Sequence, residues 1–192
     1  MPPPSSGFVS LQRLAEEALD QAAFLSAYRT PALVFETRSS AGAPSAVDTP
    51  SKPFAQGVSS STEVLAPLQA AQQLTRIADL VDPAAQVAFL DKSERNPFGG
   101  LITLGRARNN DIVLAVPSVS KLHAIFTRPD KAWLLEDDKS ANGTFLNGMK
   151  LTPKEKTEVS DGDSLRFGPD VQCRLFLPES LIGLLALVRD RK

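Results

Sequence analysis

The chain has 192 residues, 42% hydrophobic and 22% charged, enough for one ordinary domain with a real core plus extra segments. A net charge of −1 and a pI near 5.9 argue against a nucleic-acid protein, whose footprint is usually basic. Its lone cysteine, Cys173, excludes an internal disulfide, and one histidine, His123, cannot complete a tetrahedral metal site with it, so no cofactor or metal is expected.

In chain order, Met1-Pro2-Pro3-Pro4-Ser5 lacks the basic stretch and apolar run of a secretory signal. Apolar residues at Leu11, Leu14, Ala15, Ala18, Leu19, Ala22 and Leu25 predict one amphipathic helix over 11–25, capped by Ser10 and stapled by Val9 against Leu14. Ala32-Leu33-Val34-Phe35 reads as a short buried strand, so residues 1–36 form a unit of helix and strand. Residues 37–61, rich in Ser, Pro, Gly and Ala, carry too few apolar side chains to offset ordering entropy and read as a flexible linker. Thr49 in it and Thr62 just after it are candidate phosphorylation sites that a binding site on the same molecule would meet at high effective concentration. Residues 62–85 form a lead-in whose apolar face from Pro67 to Val81 predicts a helix stopped by Pro83.

From Gln86 the period becomes that of strands: 86–90, 101–104, 112–114, 124–127, 133–136, 144–146, 164–167 and 171–177. Many short strands without intervening helices predict a mainly β protein, a β-sandwich flanked by helices on its N- and C-terminal sides. A closing helix over 179–192 carries an apolar stripe, Leu181, Leu184, Leu185 and Val188, far short of the roughly 20 residues of a membrane span. That stripe packs on the sandwich or, like the N-terminal helix, supports an oligomer. The expectation is a soluble, cytoplasmic protein, and the Ala/Pro-rich linker has a bacterial style.

Polar groups fall between these strands: Gly105-Arg106, Ser120-Lys121 with His123, and Asn142-Gly143-Thr144 with Asn147-Gly148. A sandwich gathers alternate loops at one end. Arg offers a planar fork of donors, Ser a hydroxyl and Lys a point charge. Such a set faces an acceptor-rich anion, and phosphate fits best. Asp161-Gly162-Asp163 offers too few oxygens for calcium and reads as a hairpin turn, and Cys173 as a small core residue.

The ordered set over 86–178 closely resembles the forkhead-associated (FHA) family. The resemblance implies a sandwich whose loop end binds phosphothreonine peptides, with Arg106, Ser120 and Lys121 at the phosphate and Asn142 on the peptide main chain. It implies supporting roles for Gly105, His123, Gly143 and Thr144, and for Asn147 and Gly148 as a turn bracing the Asn142 loop. Ala141 departs from the family, where Thr, Ser or Lys often adds a phosphate contact, and Lys139 replaces a common glycine. The function so implied is a phosphothreonine-dependent adaptor in Ser/Thr-kinase signalling or complex assembly, with a phosphorylated protein or a kinase as partner. The alternative is a scaffold that has kept the fold and lost binding. An enzyme is disfavoured, because the only histidine is already a support residue.

Overall fold

The computed structural model describes residues 7–18, 20–36, 74–75 and 81–190. The expected linker at 37–61 with Thr49, Thr62 beyond it, and most of the helix expected at 67–81 lie outside them; Leu74 and Thr75 are helical.

Ser10 caps the first helix as expected, its hydroxyl accepting from Arg13 N. The single helix expected over 11–25 is instead two: α1 (Leu11–Glu17) and α2 (Gln21–Ala27). Asp20 ends the continuity, because its carboxylate accepts from Ala22 N and Ala23 N and starts a new helix there. Apolar spacing alone does not register a second cap.

Twelve strands are seen among the described residues, in two sheets. One sheet contains β1 (Val9–Ser10), β2 (Ala32–Phe35), β3 (Gln86–Phe89), β8 (Thr144–Leu146), β9 (Met149–Lys150), β11 (Ser164–Phe167) and β12 (Val171–Phe176), in the order β1-β3-β2-β12-β11-β8-β9. The other contains β4 (Ile102–Gly105), β5 (Ile112–Val113), β6 (Ala124–Thr127), β7 (Trp133–Asp137) and β10 (Lys156–Val159), in the order β10-β7-β6-β4-β5. Three of these strands, β1, β9 and β10, have no counterpart in the sequence reading.

Between the sheets lies one core, centred on the fully buried Leu104, Phe126, Leu135, Leu165, Phe167 and Cys173. A second core lies on the outer face of the seven-stranded sheet. There Val34, Val87, Phe89 and Phe176 meet Leu14 of α1, Phe24 of α2 and Leu181, Leu184 and Leu185 of the closing helix α3 (Pro178–Arg189). The stripe on α3 thus packs at home. Composition sets residues 1–36 apart, yet β2 pairs with both β3 and β12 in the middle of the sheet. All four of its residues are buried, as a strand covered on both faces requires.

Candidate functional site

Three loops meet at one end of the sandwich: β4–β5, β5–β6 and β7–β8. Backbone hydrogen bonds tie the first two, Arg106 N donating to Ser120 O at 2.8 Å and Ala107 N to Lys121 O at 3.0 Å. The approach is too close for a side chain, since a Cβ on Gly105 would lie 2.4 Å from Lys121 O and 2.9 Å from Asn110 Nδ2. Asn110 Nδ2 adds a bond to Lys121 O at 2.7 Å. Glycine at 105 is therefore what lets Arg106 and Ser120 stand side by side.

The third loop is joined to the second through Ala141 N, which donates to Ser120 Oγ at 3.0 Å, and Asn142 Nδ2, which donates to Ser118 O at 2.7 Å. These two bonds define the chemistry left over. With Ser120 Oγ already accepting, its hydroxyl hydrogen is available for an incoming acceptor. Asn142 keeps its Oδ1 to accept, for instance from a peptide N–H. Arg106 Nε is held by Val119 O at 3.2 Å, which fixes the guanidinium while its Nη hydrogens stay available. The Ser118 hydroxyl is buried in the same cluster without a hydrogen-bond partner among the described residues.

His123 is fully buried and holds two loops at once. Its Nδ1 accepts from Ser120 N at 3.1 Å, which leaves Nε2 as the protonated nitrogen, donating to Gly143 O at 3.2 Å. Burial pushes the imidazole below its usual pKa, outweighing the Gly143 bond and the Asp137 charge, which raise it. The ring meets Phe167 edge-on at 5.7 Å. Gly143 adopts φ +83, a left-handed conformation, and its carbonyl also accepts from Gly168 N at 2.9 Å.

Asp137, which the sequence reading passed over, organises the Asn142 loop. It is 1% exposed and accepts from Ser140 N at 3.0 Å, Ser140 Oγ at 2.6 Å and Thr144 Oγ1 at 2.6 Å. Ser140 Oγ in turn accepts from Gly143 N at 2.9 Å. Burial would raise the Asp137 carboxyl, but the hydrogen bonds from Ser140 and Thr144 prevail and hold it below the ordinary range. The sequence did carry a signal: an Asp at a strand end, three residues before a Ser, suits a local side-chain turn. Lys139 adopts φ 56, a left-handed conformation that glycine would take without strain.

The structure brings Arg106, Ser120 and Asn142 together on this rim, with Gly105, His123, Gly143 and Thr144 beneath or beside them. Lys121 is exposed next to Ser120, lining a shallow depression with Phe98, Asn109 and Asn110. Asn147 and Gly148 sit elsewhere. They form the β8–β9 turn, at the opposite end of β8 from Asn142, with φ of 50 and 82. Asn147 pairs there with Asp163 Oδ1 at 2.8 Å and with Ser164 N at 2.9 Å. The bracing role implied for this turn is thus displaced by the length of β8, onto the Asp161–Asp163 turn.

Residues 102–168, which include all three rim loops, match the family model described as FHA domain. An FHA domain-containing protein of Arabidopsis thaliana is 29% identical over 96 residues, 46% of this chain and 25% of its own length. The DNA damage response protein kinase DUN1 of Saccharomyces cerevisiae is 36% identical over 73 residues, 34% of this chain and 14% of its own. The chain thus spans a quarter or less of the length of these two relatives. Among solved structures, the N-terminal FHA domain of S. cerevisiae Rad53p in complex with a phosphothreonine peptide is 24% identical, with a TM-score of 0.42, over 50% of this chain and 87% of that one. On the match at 102–168, the chain carries an FHA domain.

Proposed function

We propose that this chain is a phosphothreonine-dependent adaptor that joins a phosphorylated partner to a Ser/Thr-kinase signalling or assembly complex in the cytoplasm, and that it performs no catalysis. The observation that carries this reading is the set of unspent valences on the rim: the Ser120 hydroxyl hydrogen, the Arg106 Nη hydrogens and Asn142 Oδ1, each oriented by a bond to the neighbouring loop. Donors fixed before the ligand arrives suit a phosphate of about −1.5 to −2 charges, since little ordering remains to be done on binding. Solved FHA structures include yeast Rad53p in complex with a phosphothreonine peptide and EmbR of Mycobacterium tuberculosis in complex with a low-affinity phosphopeptide.

Ala141 favours the second reading, a scaffold that has lost binding, because its side chain has no donor to add. Its backbone N–H nevertheless does useful work by occupying the Ser120 acceptor site. Titrating the full chain with matched phosphothreonine, phosphoserine and unmodified peptides, read by fluorescence anisotropy, separates the two readings. Phosphothreonine should bind best, by roughly 5- to 150-fold over phosphoserine if the methyl is buried, and the unmodified peptide not measurably. Equal binding of all three, or of none, would leave the scaffold.

A further inference from the structure

Directly behind Asn142, the outer face of the seven-stranded sheet carries a row of side chains set by strand register. Phe145 of β8 is paired with Lys150 of β9 on one side and with Arg166 of β11 on the other, and Arg166 is paired with Gln172 of β12. Residues directly opposite across strands share a face, and the inward set here is Leu146, Leu165 and Cys173, so this row points outward. The helices cover the β3-β2-β12 side of the sheet, whereas Lys150 is exposed and Phe145 and Arg166 are half-buried.

Both cations lean toward the rim. Arg166 stacks its guanidinium 3.5 Å from the Phe145 ring centroid and donates from Nη1 to Gly168 O at 2.8 Å. Lys150 lies across Gly143, its Cε 2.5 Å and its Nζ 3.2 Å from where a Gly143 Cβ would be. Gly143 and Gly168 are themselves hydrogen-bonded, and a Cβ on Gly168 would be 3.4 Å from the Asn142 Cβ. The two positive groups therefore flank the glycine bridge on which Asn142 rests. Neither makes an ion pair among the described residues. An aromatic ring with a cation on either side, continuous with an anion-binding rim, is complementary to negative charge, and the nearest carboxylate on the row, Glu36, is bound by Gln172 rather than by either cation.

We propose that Lys150 and Arg166, held against Phe145, form a specificity strip that receives an acidic side chain flanking the phosphothreonine of the bound peptide. The proposal rests on the phosphothreonine reading above and adds the charge of the neighbouring peptide residues to it. The strip begins next to the residue assigned to the peptide main chain, so a peptide held by Asn142 passes within side-chain reach of Lys150.

The test is an array of phosphothreonine peptides in which each flanking position is occupied in turn by Glu or by Gln, titrated against the full chain and against Lys150→Gln, Arg166→Gln and the double variant. For the parent, at least one position should favour Glu over Gln by about two- to five-fold, an advantage that shrinks with added salt. In the double variant the Glu and Gln peptides should bind equally. Lys150→Glu should turn the same position toward Lys, an inversion that loss of structure would not produce. A parent that binds Glu and Gln peptides alike at every position overturns the strip and leaves phosphothreonine binding standing. A Glu preference that survives in the double variant also overturns it. Failure of the parent to bind any phosphothreonine peptide overturns both readings together.

Discussion

Replacing His123 by alanine tests whether one ring holds the rim together. The substitution removes the acceptor of Ser120 N and one of the two donors to Gly143 O, the other being Gly168 N. The carbonyl therefore stays satisfied, while Ser120 N–H is left part-buried without its partner, which costs about 1–3 kcal/mol. The vacated space beside Phe167 adds a cavity cost of about 1–2 kcal/mol, since a fully buried ring is truncated. The sum, about 2–5 kcal/mol, corresponds to a fall in melting temperature on the order of 10 °C. A thermal melt followed by circular dichroism measures it, and His123→Phe, which fills the space without the nitrogens, isolates the hydrogen-bond share. Acid should imitate the mutation. The native imidazole is neutral with a depressed pKa, so its contribution is complete above the ordinary histidine value near 6.5 and is lost as pH falls through the lower folded value. An alanine variant that melts with the parent, or a parent equally stable through this acid range, would refute the reasoning.

Arg106→Ala should weaken phosphopeptide binding by about 30- to 150-fold, the worth of roughly 2–3 kcal/mol for a charge-assisted partner, as isothermal titration would show. Asn142→Ala should weaken the same titration while moving the melt little, because only its exposed bond to Ser118 O is lost from the free protein. Gly105→Ala should do the opposite of a harmless surface change: a Cβ 2.4 Å from Lys121 O forces two loops apart, so both melting temperature and affinity should fall. Asp137→Ala leaves the buried Thr144 hydroxyl and the Ser140 donors unpaired, costing about 2–4 kcal/mol in chemical denaturation, with binding impaired through the misplaced Asn142 loop.

The strands that the sequence made legible are those with a buried face. Ala124–Thr127 and Trp133–Asp137 alternate buried with half-buried residues, the pattern that periodicity detects. Met149–Lys150 is exposed at both positions, and only Val159 of Lys156–Val159 is buried, so these edge strands present no apolar signal. They exist because the Asn147-Gly148 turn folds β9 back on β8 and because β7 offers β10 a full register of partners. At the site, Arg106, Ser120 and Asn142 were readable as chemistry suited to phosphate. Asp137 left only a local signal, its spacing to Ser140, and its full role shows when Ser140 and Thr144 are seen to converge on it. The Lys150–Phe145–Arg166 row was hidden for a similar reason: its members come from three strands, and register alone makes them neighbours.

The placement of β2 between β3 and β12 makes the sheet depend on a segment far from the family match in the chain. A protein trimmed to residues 102–168 would lose β2, β3 and β12, stripping the inner core of Leu33, Ala88 and Leu175 and leaving β11 as an unpaired edge open to aggregation. Trimming only residues 1–36 would bare the facing edges of β3 and β12, a slot one strand wide. Conversely, a cut in the chain between Phe35 and Gln86 need not dismantle the fold, because β2 is retained by hydrogen bonds on both sides and by burial of all its side chains. The N-terminal piece would then behave as a detachable ligand of the rest, supplied in trans as a peptide, and its off-rate would set how long a nicked molecule keeps its binding rim.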